Sequence, residues 1–149
     1  MAGYESQLWK WLSPLLPGDG HFCRVESGDT SPGIPDVYYQ LNSSSGWIEL
    51  KVDRHPRSQL PFKRGGLRDD QVDWIDAELK YSGRTWIIAR LEGPKEVVVI
   101  WGGHARNFNY YSRTALRDQA VIRVSLPLTA KRRAHFRRKL HALLLDRLP

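Results

Sequence analysis

The chain lacks most of the features that would place it among secreted, membrane or nucleotide-driven proteins. One cysteine, Cys23, stands among 149 residues, so this chain alone forms neither an internal disulfide framework nor a thiolate zinc site. A lone thiol fits a reducing compartment. No apolar run nears the roughly 20 residues that cross a bilayer, and Met1-Ala2-Gly3-Tyr4-Glu5 lacks the basic-then-apolar order of a secretory leader. These absences lead to the expectation of a soluble, cytoplasmic protein with no membrane partner. No GxxxxGK[ST] loop is present to cradle phosphates, which argues against ATP-driven work. The five histidines show no metal-ligand spacing, and His104 and His135 have no obvious partners. Repeats, linkers and low-complexity tracts are missing as well, so a single domain over 1–149 is expected, with a core of about 4–101 and an extension over 102–149.

What is present suits a folded, basic protein. The hydrophobic fraction is 41% and there are six tryptophans, enough for a real core. Lys and Arg outnumber Asp and Glu by 23 to 16, a formal net charge of +7 with a pI near 9.8. Such a balance favours a polyanionic partner, with solubility as the bland alternative.

Tyr4, Leu8, Trp11, Leu12 and Leu15 recur at helical spacing, ended by Pro14, Gly18 and Gly20. Glu5 falls inside the apolar arc of that helix, where an acid needs a partner or a metal. His21–Glu26 reads as a strand and Ser27–Pro32 as a turn-rich stretch. Asp36–Leu41 and Trp47–Val52 are β-rich runs joined by Asn42-Ser-Ser-Ser-Gly46, a hairpin signature. Leu67–Ser82 predicts a helix with Val72, Ile75 and Leu79 on one face. Thr85–Leu91 and Glu96–Trp101 predict buried strands turned by Gly93-Pro94. Residues 102–119 read as a loop and a short helix, and Val121–Leu126 as a short strand. Thr129 is placed to cap a final helix whose Phe136, Leu140, Leu143 and Leu144 share a face. One α/β domain is therefore the simplest organisation, ending in a basic C-terminal helix.

The chemistry concentrates in the hairpin. Strand side chains alternate, so Glu49 and Lys51 point to one side. If the turn consumes Asn42–Ser45, Asp36 sits opposite Lys51 and diagonal to Glu49, about 7–8 Å away at the backbone. Two carboxylates at that separation suit one hard cation, Mg²⁺ or Mn²⁺, with the Leu50 carbonyl as a further oxygen. Lys51 would orient an attacking water or neutralise charge on a phosphate in the transition state. Glu5 could join the metal shell. Gln71, beside the apolar face of the second helix, could bond a phosphate oxygen or steady Lys51. A Glu-x-Lys pair alone is commonly a surface ion pair worth about 0–1 kcal/mol.

Taken together these residues resemble the PD-(D/E)xK nuclease superfamily, closest to virus-type replication-repair nuclease domains and Holliday-junction resolvases. Gly33-Ile-Pro-Asp36 matches the family's glycine-x-proline-aspartate, and Ile48-Glu49-Leu50-Lys51 its hydrophobic-Glu-x-Lys. Leu67-Arg-Asp-Asp-Gln71 resembles its leucine-x-x-x-glutamine helix start, with Arg68-Asp69 where many relatives carry Ser-Pro. Gly83 and Thr85–Ile88 match the glycine and strand that follow. The resemblance runs from about Glu5 to Leu91. It implies a restriction-endonuclease-like core, a mixed sheet flanked by helices, and a divalent-metal-dependent phosphodiesterase acting on DNA. It also implies that Asp36 and Glu49 bind metal, that Lys51 is catalytic, and that Glu5 and Gln71 support the site. Small stand-alone members often act on branched DNA as homodimers, so that two sites cut two strands, and the resemblance extends that expectation to this chain.

Arg54, Arg57, Lys63, Arg64 and Arg68 lie where DNA backbone would pass beside this site. Phe108, Tyr110, Tyr111 and Arg113 could stack on unpaired bases, although packing against the core is the more ordinary use. Lys131, Arg132, Arg133, Arg137, Arg138 and Lys139 read equally as a solvated helix and as a DNA-binding one. The expectation is a DNA endonuclease. A non-specific or nicking nuclease, and a non-catalytic nucleic-acid-binding protein with the same fold, are the alternatives.

Overall fold

The computed structural model describes residues 3–25, 33–81 and 83–145. The expected turn over 27–32, Glu26 at the end of the first predicted strand and Ser82 at the end of the second predicted helix lie outside the described residues. Six strands form one sheet in sequence order: β1 (His21–Arg24), β2 (Val37–Leu41), β3 (Ser44–Val52), β4 (Arg84–Glu92), β5 (Lys95–Trp101) and β6 (Ile122–Ser125). All neighbours run antiparallel except β3 and β4. A parallel pair cannot be joined by a tight turn, and helix α2 (Asp69–Lys80) makes the crossover. The sheet is thus mixed and flanked by helices, the α/β class expected.

Alternation along the strands divides the core into two layers. Val37, Tyr39, Ile48, Leu50, Ile88, Val99 and Val124 face helices α1 (Tyr4–Leu12) and α5 (Ala130–Leu144). Ile87, Ala89, Val98 and Ile100 face α2, α3 (Ala105–Phe108) and α4 (Arg113–Gln119). Residues 102–119 hold a 3-10 turn (Gly102–His104) and two short α-helices where one short helix was expected. Phe108 is fully buried and stacks on Phe62 at 4.8 Å, so it packs and does not stack on bases. Thr129 caps α5 as expected, its Oγ1 accepting from the Arg132 N–H. Phe136, Leu140, Leu143 and Leu144 are buried on the sheet. Among the described residues no helix is long and apolar enough to cross a membrane.

The hairpin register differs from the expected one. Leu41 pairs with Ser44 and Val37 with Ile48, so the turn is only Asn42-Ser43, with Asn42 in the left-handed region at φ 55°. Asparagine tolerates that conformation better than most residues. The pairing, carried one residue further, puts Asp36 opposite Glu49 and not Lys51. A slip of two preserves the face of every side chain. Asp36, Glu49 and Lys51 therefore still share the α2 side of the sheet.

Candidate active site

The site begins where β2 and β3 part. Beyond Val37 the β2 edge no longer pairs with β3, and the Leu50 N–H donates instead to Asp36 Oδ2 at 2.9 Å. In an extended strand a residue's N–H and C=O point to the same side, so the Leu50 carbonyl also faces Asp36. The Asp36 carboxylate thus fixes the mouth of a polar recess of about 280 Å³. Glu5, Arg24, Asp36, Glu49, Lys51 and Gln71 are among its walls.

On its floor lie three buried polar side chains. Glu49 is 1% exposed, Lys51 6% and Gln71 5%. Gln71, from the first turn of α2, organises the other two. Its Nε2 donates to Glu49 Oε1 at 3.0 Å, and its Oε1 accepts from Lys51 Nζ at 3.2 Å and from the Arg68 N–H at 3.0 Å. Lys51 Nζ stands 3.7 Å from Glu49 Oε1. The side chain that caps the helix thereby also clamps the strand. Glu49 Oε2 is buried with no hydrogen-bond donor among the described residues, and a bond from Glu49 to the Asp36 carboxyl requires a proton between the two acids. An orphaned carboxylate oxygen in such a place is costly unless something cationic meets it.

Burial, and after it the neighbouring Asp36 carboxylate, hold the Glu49 carboxyl well above its ordinary value of 4.5, while Lys51 pulls the other way. The native state keeps this proton to higher pH than the unfolded chain does. Stability from Glu49 is therefore greatest at low pH and is lost as pH rises from about 4.5 through the raised value. Urea denaturation of the metal-free protein across that window should show Glu49→Gln gaining on the wild type as pH increases. Parallel profiles would mean that Glu49 ionises freely.

The remaining predicted residues distribute as follows. Glu5 lines the recess, but its carboxylate accepts from Arg54 Nη2 at 3.3 Å, and the same guanidinium lies 4.6 Å above the Tyr4 ring. Among the described residues no three His, Cys, Asp or Glu side chains gather as a metal-binding group. The acids brought together are the pair Asp36 and Glu49, and Glu5 stands apart from them. Arg68 is exposed at the rim, paired with Asp70 at 3.1 Å. Arg57 is exposed, and exposed Lys63 and Arg64 line a neighbouring depression of about 310 Å³ with His55. Lys131, Arg132, Arg133 and Arg137 are exposed on α5, away from the recess.

Several contacts had no signal in the sequence. Arg24 on β1 reaches the recess, with Nη2 3.5 Å from Ser6 Oγ. Asp53, two residues after Lys51, has a side chain with no exposed surface and pairs with Arg113 at 2.8 Å. Arg113 is therefore a strut and does not stack on bases. His104, expected to lack a partner, bonds the Tyr111 hydroxyl through Nδ1 at 2.8 Å.

Two carboxylates, one with an unsatisfied buried oxygen, and a backbone carbonyl turned toward them form a hard-oxygen donor set. Mg²⁺ and Mn²⁺ prefer such ligands, so the residues present fit a divalent cation. No protein-family model and no curated protein sequence matches the chain. Among solved structures it is similar to the 1.6 Å structure of Archaeoglobus fulgidus Hjc, a Holliday junction resolvase from an archaeal hyperthermophile. The identity is 16% and the TM-score 0.44, over 67% of this chain and 75% of that one. A likeness this faint carries no weight for the chemistry.

Proposed function

We propose that this chain is a divalent-metal-dependent DNA endonuclease, hydrolysing phosphodiester bonds, with branched DNA as its substrate. The observation that carries the reading is the buried Glu49–Gln71–Lys51 network facing Asp36, with Glu49 Oε2 left unpaired. A structural ion pair would close on itself. This one leaves a buried carboxyl oxygen of Glu49 without a donor, beside the Lys51 ammonium in the lining of the recess. The motif resemblance to PD-(D/E)xK nucleases supports the same roles.

Asp36, Glu49 and the Leu50 carbonyl would hold the cation, which when bound lowers the pKa of a water and offsets charge on the phosphate. The chain's own groups do the rest. Gln71 fixes Lys51 Nζ beside the acids, where the ammonium can orient a water oxygen or meet charge developing on a phosphate oxygen. Arg68 and Arg24, which both line the recess, would receive flanking phosphates. Arg54, Arg57, Lys63 and Arg64 extend that positive border along the loop after β3. A homodimer would present two such sites to two strands.

Supercoiled plasmid and a four-way junction, each incubated with Mg²⁺, Mn²⁺ or EDTA, test the reading. Cleavage in either metal and none in EDTA is expected, with the junction cut in preference to its linear arms. Binding without cleavage in both metals would make the chain a nucleic-acid-binding protein instead. Equal cutting of plasmid and junction would leave a nuclease without branch preference.

A further inference from the structure

The excess of positive over negative charge in this molecule is matched almost entirely by one helix. Lys131, Arg132, Arg133, Arg137, Arg138 and Lys139 fall within nine residues that contain no acid, and without them the formal net charge of +7 drops to +1. All six are exposed. Among the described residues none of them is ion-paired, and the one hydrogen bond made by their side chains runs from Arg132 to the Pro127 carbonyl at 3.2 Å. The placement is costly for α5 by itself. Lys131, Arg132 and Arg133 crowd the first turn, where the helix dipole opposes cations, and Arg133 repels Arg137 one turn on. A polyanion lying across the helix would relieve both.

We propose that α5 is a second DNA-binding surface, which grips the phosphate backbone of a duplex segment distinct from the one at the recess. Density of charge argues for duplex DNA. The cationic stretch spans about 12 Å at 1.5 Å per residue, over which a duplex presents about seven phosphates at one per 1.7 Å. Only the phosphates on the near side can be met at once, by the cations on the facing arc of the helix. A membrane surface would want an apolar face to insert, whereas the apolar face of α5 is spent on the core through Phe136, Leu140, Leu143 and Leu144. An acidic protein would want exposed aromatic or aliphatic anchors, and the exposed arc of α5 offers none. A groove of about 410 Å³ between Leu15, Pro17, Ala134, Arg137, Arg138 and His141 gives a phosphate somewhere to seat.

The location makes the segment a separate one. The α5 helix packs on the sheet face that carries Ile48 and Leu50, whereas Glu49 and Lys51 lie on the other face, under α2. The sheet stands between α5 and the Glu49 and Lys51 side chains, so the two surfaces address different stretches of duplex. That the recess holds a first segment rests on the nuclease reading; that α5 holds a duplex does not.

The test uses the full chain in EDTA with a short fluorescent duplex, followed by anisotropy over a salt series. Replacing the six cations by glutamine should weaken binding about tenfold or more and flatten the log–log salt slope by about 3, as expected for three or more lost phosphate contacts. Circular dichroism checks the fold, and Arg137→Gln with Arg138→Gln serves if the six-fold variant does not fold. Unchanged affinity and slope would overturn the proposal. So would tighter binding to phosphatidylserine vesicles or to polyglutamate than to the duplex. Two duplexes carrying a donor and an acceptor dye should be paired by Lys51→Ala in Mg²⁺ but not by the same protein with the α5 substitutions; pairing that survives them would likewise overturn it. A protein that never cuts DNA yet shows the anisotropy result would lose the nuclease reading and keep this one.

Discussion

Lys51→Ala should lower the rate of DNA cleavage by about 10²–10³-fold, on the scale of removing one positioned donor from a developing anion. The side chain is buried and held 3.2 Å from Gln71 Oε1, so no exposed lysine can replace it by swinging in. Duplex affinity should change little, because the exposed arginines and α5 are untouched. Metal affinity should hold or rise, since the ammonium 3.7 Å from Glu49 repels a cation approaching the same oxygens. Lys51→Arg should not restore activity, because a planar guanidinium cannot occupy the place of a compact ammonium beside Gln71. Gel assays of cleavage, with anisotropy for binding, separate these effects. A Lys51→Ala protein that cuts like the wild type would end the proposed mechanism.

Arg113→Ala is expected to cost about 3–5 kcal/mol of folding stability, the penalty for leaving a buried charge without its partner. The Asp53 carboxylate accepts from Arg113 Nη1 at 2.8 Å, from the His55 N–H at 2.8 Å and from the Glu92 N–H at 3.2 Å. Arg113 also donates to the Ser58 and His55 carbonyls, so it ties the loop after β3 to α4. Urea denaturation should show the loss, and Asp53→Asn combined with Arg113→Leu should lose less than the two single changes added together, as coupled partners do. Additive effects would mean that the pair does not act as a unit. Cleavage measured well below the melting temperature should fall through weaker binding, because the loosened loop carries Arg54 and Arg57.

The two interactions differ in how far the sequence foretold them. The groups on the α2 side of the hairpin were legible because alternation is local: Glu49 and Lys51 share a face in any register, and Asp36 joins them in every second one. The register itself was not. Asn42-Ser-Ser-Ser-Gly46 reads as a four-residue turn, and the left-handed Asn42 that shortens it to two has no spacing signature. The Asp53–Arg113 pair spans sixty residues, and nothing near either residue marks it as buried. Glu5 was legible as an acid on an apolar face, but its partner proved to be Arg54 on a loop. The segment 102–119 resisted because its helices have four and seven residues, too few to establish a period.

Asp36 carries two duties that a single substitution cannot separate without care. Its carboxylate stands in for the missing strand neighbour of the Leu50 amide, at the point where the hairpin opens into the recess. Truncation there removes an anion and at the same time orphans a backbone donor, so an inactive alanine variant would leave unanswered whether charge or scaffold had failed. Asparagine keeps an acceptor for the amide while discarding the charge. It is the replacement that asks only the chemical question.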